Sequence, residues 1–141
     1  MSKFKQGAVL VAALASVLTG AVVNSAPAAA ASSPISACGG GSYHVIDSQD
    51  LNGLATVYLL YNGSTNCVVT WHSSATAGTA RYTAAAVQKA GGNPVEDAGS
   101  YTTYAGPVKV SAAGSCILWG GAIADGNGRI YGYESPWSHC G

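Results

Sequence analysis

The chain has 141 residues, with six Lys and Arg against six Asp and Glu and a formal charge of zero. That length suits a single domain. Only 9% of residues are charged and no stretch gathers Lys or Arg, which excludes the electrostatic footprint of a nucleic-acid binder.

The first 31 residues read as an address rather than as structure. Lys3 and Lys5 form a positive n-region, Gly7 to Val23 is an uncharged apolar run, and 24–31 is small and Ala-rich. Ala28-Ala29-Ala30 or Ala29-Ala30-Ala31 supplies an A-x-A cleavage signal, so residues 1–31 are predicted to be a secretory signal peptide. The rival reading is an N-terminal anchor, for which the apolar run is at the short end. Cleavage leaves one domain over 32–141, with no membrane association of its own. That domain keeps Arg81, Lys89, Lys109 and Arg129 against Asp47, Asp50, Glu96, Asp97, Asp125 and Glu134, a formal charge of −2. Its surface must be covered mainly by Ser, Thr, Gly, Asn and Tyr, which suits uncharged partners such as glycans or a proteinaceous coat.

From there the chain reads as short strands between turns. Tyr43 to Asp47 is the first candidate. Leu54 to Tyr61 and Cys67 to His72 are rich in strand formers and flank the Gly-containing turn Asn62 to Asn66, the pattern of a hairpin. The same turn contains the glycosylation acceptor pattern Asn62-Gly63-Ser64, which the turn explains without modification. Ala80 to Lys89 mixes helix-favouring alanines with Tyr82, Thr83 and Val87, and is read as a strand ended by Gly91-Gly92-Asn93-Pro94. Ser100 to Tyr104 and Pro107 to Ser111 read as one strand kinked at Ala105-Gly106-Pro107, with Pro107 at an edge or bulge because it lacks an N–H. Ser115 to Ile123 and Arg129 to Glu134 flank the turn Asp125-Gly126-Asn127-Gly128. About seven strands, no convincing helix and Gly-rich turns predict an all-β fold, a small antiparallel sandwich or barrel.

Four cysteines, Cys38, Cys67, Cys116 and Cys140, follow the signal. In an oxidising compartment they imply two disulfides. Three pairings are open. Placing Cys67 and Cys116 in two apolar strands that face each other favours Cys67–Cys116, leaving Cys38–Cys140 to join the domain's ends. No two cysteines lie within four residues of each other and the close His–Cys pair is His139-Cys140, so zinc-ligand spacing is absent. No metal and no cofactor are expected.

Catalytic chemistry finds no signature. His44, His72 and His139 and many serines are present, but no G-x-S-x-G elbow. Glu96 and Asp97 are adjacent, and neighbours on an extended chain point apart, so they make a poor pair for glycoside hydrolysis; Asp125 and Glu134 near the last hairpin are further apart in sequence. The Asp125 turn lacks the further oxygen ligands of a calcium loop. The aromatic residues are the remaining surface candidates. Trp71 shares a strand face with Cys67 and Val69 and is expected to pack on a disulfide. Tyr131 and Tyr133 share a face by their spacing, and with Tyr101 and Tyr104 they are candidates for stacking on sugar rings or on another protein; the competing reading has them covering the core with their hydroxyls outward.

Several runs are familiar together: Cys38-Gly39, Thr56 to Asn62, Asn66 to Thr70, Tyr101-Thr102-Thr103-Tyr104-Ala105-Gly106-Pro107-Val108, Gly114-Ser115-Cys116, Trp119-Gly120-Gly121 and the closing Trp137-Ser138-His139-Cys140-Gly141. The chain resembles the spore-associated protein A family of streptomycetes and related actinomycetes over 38–141, least in 73–92. The resemblance implies an extracellular protein that accompanies the spore or aerial surface, and disulfides rather than zinc. It carries over no catalytic, metal or ligand residue. The expectation is therefore a secreted, non-enzymatic protein of the spore or cell surface, with spore coat or cell-wall material as its partner. The alternatives are a glycan-binding module using exposed tyrosines, a secreted protease inhibitor presenting the loop Gly91 to Gly99, and a small hydrolase with a His and a carboxylate in one cleft.

Overall fold

The computed structural model describes residues 31–141, so the predicted signal segment lies outside the described residues but for its last position. The described chain begins with a one-turn helix α1 (Pro34–Cys38) and continues through eight strands: β1 (His44–Leu51), β2 (Ala55–Tyr61), β3 (Thr65–His72), β4 (Arg81–Lys89), β5 (Val95–Tyr101), β6 (Tyr104–Ser111), β7 (Ile117–Ala124) and β8 (Ile130–Glu134). They form two four-stranded antiparallel sheets, a first in the order β1-β2-β3-β6 and a second in the order β5-β4-β7-β8. The all-β expectation holds, in its sandwich form.

The hairpins are made where turn residues demand them. Asn52 and Gly53, both at positive φ, turn β1 into β2, with Leu54 N donating to Leu51 O at 3.0 Å. Asn62 Oδ1 accepts from the N–H groups of Ser64 and Thr65 at 3.0 and 2.8 Å and so holds the β2–β3 turn. Asp125 Oδ1 does the same between β7 and β8, accepting from Asn127 N and Arg129 N.

Two elements differ from expectation. The predicted kinked strand is two strands in different sheets: β5 ends at Tyr101, the chain turns at Thr102-Thr103, and β6 starts the return in the first sheet. Pro107 does sit on an edge strand, where the β3–β6 register shifts between Val68 and Thr70. The loop expected from Gly91 to Gly99 is mostly β5, paired with β4 from Val95 onwards. The helix was not expected. It is fixed by a reciprocal capping box, in which Ser33 Oγ accepts from Ser36 N and Ser36 Oγ from Ser33 N, by Pro34 in its first turn and by Gly39 at φ 119° closing it.

Alternation along each strand divides the side chains into two clusters. Val57, Leu59, Val68, Ala85, Val87, Ala105, Val108, Ile117, Trp119 and Ile123 fill the space between the sheets. Leu60, Cys67 and Val69 lie on the other face of the first sheet, where α1 covers them with Cys38. That division decides the disulfides. Cys67 points away from the second sheet, so the favoured pairing with Cys116 is overturned. Cys67 bonds to Cys38 and fastens α1 to the first sheet, while Cys116, just ahead of β7, bonds to Cys140. The second bond ties down a tail that Ile117 and Ser138 already hold by two backbone hydrogen bonds of 2.9 and 3.0 Å.

Candidate functional site

The four candidate tyrosines are not on one face. Tyr101, Tyr131 and Tyr133 are half-buried and pack against the main core, Tyr133 meeting Trp119 edge-on at 5.3 Å. Tyr104 belongs to the cluster on the opposite face of the first sheet, half-buried and stacked on Trp71 at 4.7 Å with the rings 2° from parallel. The two are direct cross-strand partners, which brings their rings together. Trp71 shares its cluster with the Cys38–Cys67 bond, as its strand position predicts. Arg129 lies over the Tyr131 ring at 5.3 Å.

Tyr101 holds a junction rather than a surface. Its hydroxyl donates to Asp97 Oδ1 at 2.5 Å, and Asp97 Oδ2 accepts from Gly106 N in the other sheet at 2.8 Å. The hydrogen bond to Asp97, then desolvation, then the carboxylate's charge raise the Tyr101 phenol above its usual value near 10.

The histidines are dispersed. His72 is buried, its Nδ1 3.1 Å from Thr76 O and its Nε2 2.9 Å from Thr83 Oγ1, and it links β3 to β4. Among the described residues His44 Nδ1 meets the backbone oxygen of Ser42. His139 Nε2 pairs with Asp47 Oδ2 at 3.0 Å. Among the described residues, no side-chain hydroxyl hydrogen-bonds to His139 or His44, so this His–carboxylate pair lacks a nucleophile beside it. It borders a cavity of about 180 Å³ that Ile46, Tyr61 and Asn66 also line.

A depression of about 220 Å³ lies on the outer face of the second sheet. The register explains it. Glu96 on β5 is opposite Ala86 on β4, Ala86 is opposite Gly120 on β7, and Gly120 is opposite Glu134 on β8. The next row on this face runs Ala98, Ala84, Ala122 and Gly132. Two neighbouring rows of a four-stranded sheet therefore carry nothing larger than alanine except a glutamate at each end of one row. Tyr82 stands at one end of the trough, 43% exposed, and Gln88, Pro94 and Leu118 at the other. Gly120 cannot be larger: a Cβ there would run into the Tyr133 carbonyl oxygen and lie 3.1 Å from Glu134 Cα. Glu96 and Glu134 make no ion pair among the described residues, and no Lys or Arg lines the trough. In the sequence Glu96 reads as loop and the alanines of 80–89 as helix-favouring residues in a strand. The available signal was small residues at alternate positions, Ala84 with Ala86 and Gly120 with Ala122.

Among the described residues no helix is long and apolar enough to cross a membrane. The chain is 41% identical over 127 residues to spore-associated protein A of Streptomyces coelicolor, covering 88% of this chain and 77% of that protein. No family model and no solved structure matches.

Proposed function

The chain belongs to the spore-associated protein A family, and on that premise we propose that it is a secreted protein without catalytic activity that attaches to the spore or cell surface. The match across 88% of the chain carries the reading, because the relative is named for its association with spores. Two disulfides support an oxidising, extracytoplasmic setting. The dispersed histidines support a role in binding rather than in nucleophilic or acid–base chemistry. The rigid sandwich serves as a scaffold, and its faces make the contacts.

Co-sedimentation tests the reading. The purified protein is mixed with spore envelopes, insoluble cell wall, chitin and cellulose, beside an unrelated secreted protein as control. The expected result is retention on spore envelopes or cell wall after washing. Loss of the protein from every pellet would overturn surface attachment. Substituting Tyr131 or Tyr133 is a poor way to probe such binding, because both rings help cover the core.

A further inference from the structure

We propose that the trough on the outer face of the second sheet binds a pyranose ring bearing a free amine, one unit of an amino-sugar polymer. The inference deepens the surface-attachment reading by naming a ligand class for it. Three observations converge. First, the floor is made of the small residues Ala84, Ala86, Gly120 and Ala122, with Ala98 and Gly132 continuing the second row on the edge strands. Outward strand positions normally carry larger side chains, and none stands between the two glutamates, which leaves a trough over the two inner strands for the C–H face of a sugar, with Ala84 5% exposed at its floor. Second, Glu96 and Glu134 close opposite ends of one row, about 14 Å apart at Cα by three strand spacings, with no cation among the lining residues. Their charge complements an ammonium placed between them and hydroxyls that donate to their oxygens. Third, about 220 Å³ is below the size of pockets that take drug-like molecules and suits one monosaccharide unit. Tyr82 and Gln88 stand at the two ends of the trough, where ring hydroxyls and the glycosidic links to neighbouring units would emerge.

A lysine side chain would satisfy the charge, but a single methylene stem would leave most of this floor and both polar ends uncovered. A neutral sugar would cover the floor and leave the carboxylates without a positive partner.

The test is titration calorimetry of the purified protein, at low ionic strength, with the β-1,4-linked glucosamine tetramer, its fully N-acetylated counterpart and tetralysine. The glucosamine tetramer is expected to bind at least tenfold more tightly than either of the others. Glu96→Gln and Glu134→Gln, isosteric changes at exposed positions, should each weaken it at least tenfold, and Ala86→Leu, which fills the floor, should abolish it with the far-ultraviolet circular dichroism unchanged. The proposal is overturned if the glucosamine tetramer gives no heat, if both glutamine variants bind it as the wild type does, or if tetralysine binds as tightly. Each of those results is separable from the envelope experiment, since retention on spores with no oligosaccharide binding would remove this site and leave surface attachment standing.

Discussion

At Gly121 the space for a side chain is already occupied. A Cβ there would collide with Thr70 Oγ1 and lie 2.7 Å from Ala84 O, and those two atoms form the buried hydrogen bond, 2.7 Å long, that joins the first sheet to the second. Gly121→Ala must displace Thr70 and strand a buried carbonyl. We expect a loss of about 1–3 kcal/mol, read as a lower urea midpoint with an unchanged slope. Tyr101 acts at the same scale with a pH signature. Its phenol is raised in the fold, so the unfolded chain ionises first as pH climbs past about 10. The stabilisation is therefore fully present below pH 10 and is lost as pH rises through the folded value. The stability gap between wild type and Tyr101→Phe should be constant from pH 6 to 9 and narrow above pH 10. A gap that stays constant to pH 11 would count against the Asp97 hydrogen bond as its source.

Each disulfide fastens a peripheral element to one sheet. Trypsin distinguishes the pairings, because cleavage after Arg81, Lys89, Lys109 and Arg129 puts Cys38 and Cys67 on one peptide and Cys116 and Cys140 on two others. Without reductant, 110–129 should stay linked to 130–141, and the peptide ending at Arg81 should be closed on itself. That peptide linked to 110–129 would refute the observed connectivity. Closing loops of 29 and 24 residues is worth about 3.5 kcal/mol each by chain entropy, and the Cys116→Ser/Cys140→Ser variant should lose about that much while keeping its β spectrum. The hairpins β2–β3 and β7–β8 are legible in the sequence because Asn62-Gly63 and the Asp125 turn state their geometry locally. The Thr102-Thr103 corner is not, since no Gly, Pro or Asn marks it. Strand β1 is longer than its apolar part because it is an edge, exposed over most of its length, and edge positions accept Gln49 and Asp50. The cysteine pairing depends on which side of the first sheet Cys67 faces, which follows from the division between sheets and not from spacing. The trough is only partly legible for a related reason: small residues alternate in the sequence at Ala84 and Ala86 and at Gly120 and Ala122, but only the register places them side by side.

At the scale of the whole molecule, neither covalent bond crosses from sheet to sheet. Among the described residues they are joined by the apolar layer between them, by polar ties that include Thr70 to Ala84, Gly106 N to Asp97 and His72 to Thr83, and through the tail by His139 to Asp47. Each tie spans the same interface as the apolar layer, so separation forfeits the core and exchanges these hydrogen bonds for water at once. The outer clusters are smaller than the layer between the sheets: the first sheet keeps Leu60, Val69 and the Cys38–Cys67 bond with Tyr43, Tyr58, Trp71 and Tyr104 packed on them, and the second keeps an alanine floor. Unfolding should therefore be a single transition. The tryptophans provide the test, since Trp71 reports on the outer face of the first sheet and Trp119 on the core between the sheets. With the exposed Trp137 changed to Phe, Trp71→Phe leaves Trp119 as reporter and Trp119→Phe leaves Trp71. Within each variant, the urea midpoint by fluorescence should coincide with the midpoint by circular dichroism. If the Trp71 signal changed well before the circular dichroism did, the first sheet's outer layer would be a separate unit held by its disulfide, and the polar ties would not be what makes the sandwich cooperative.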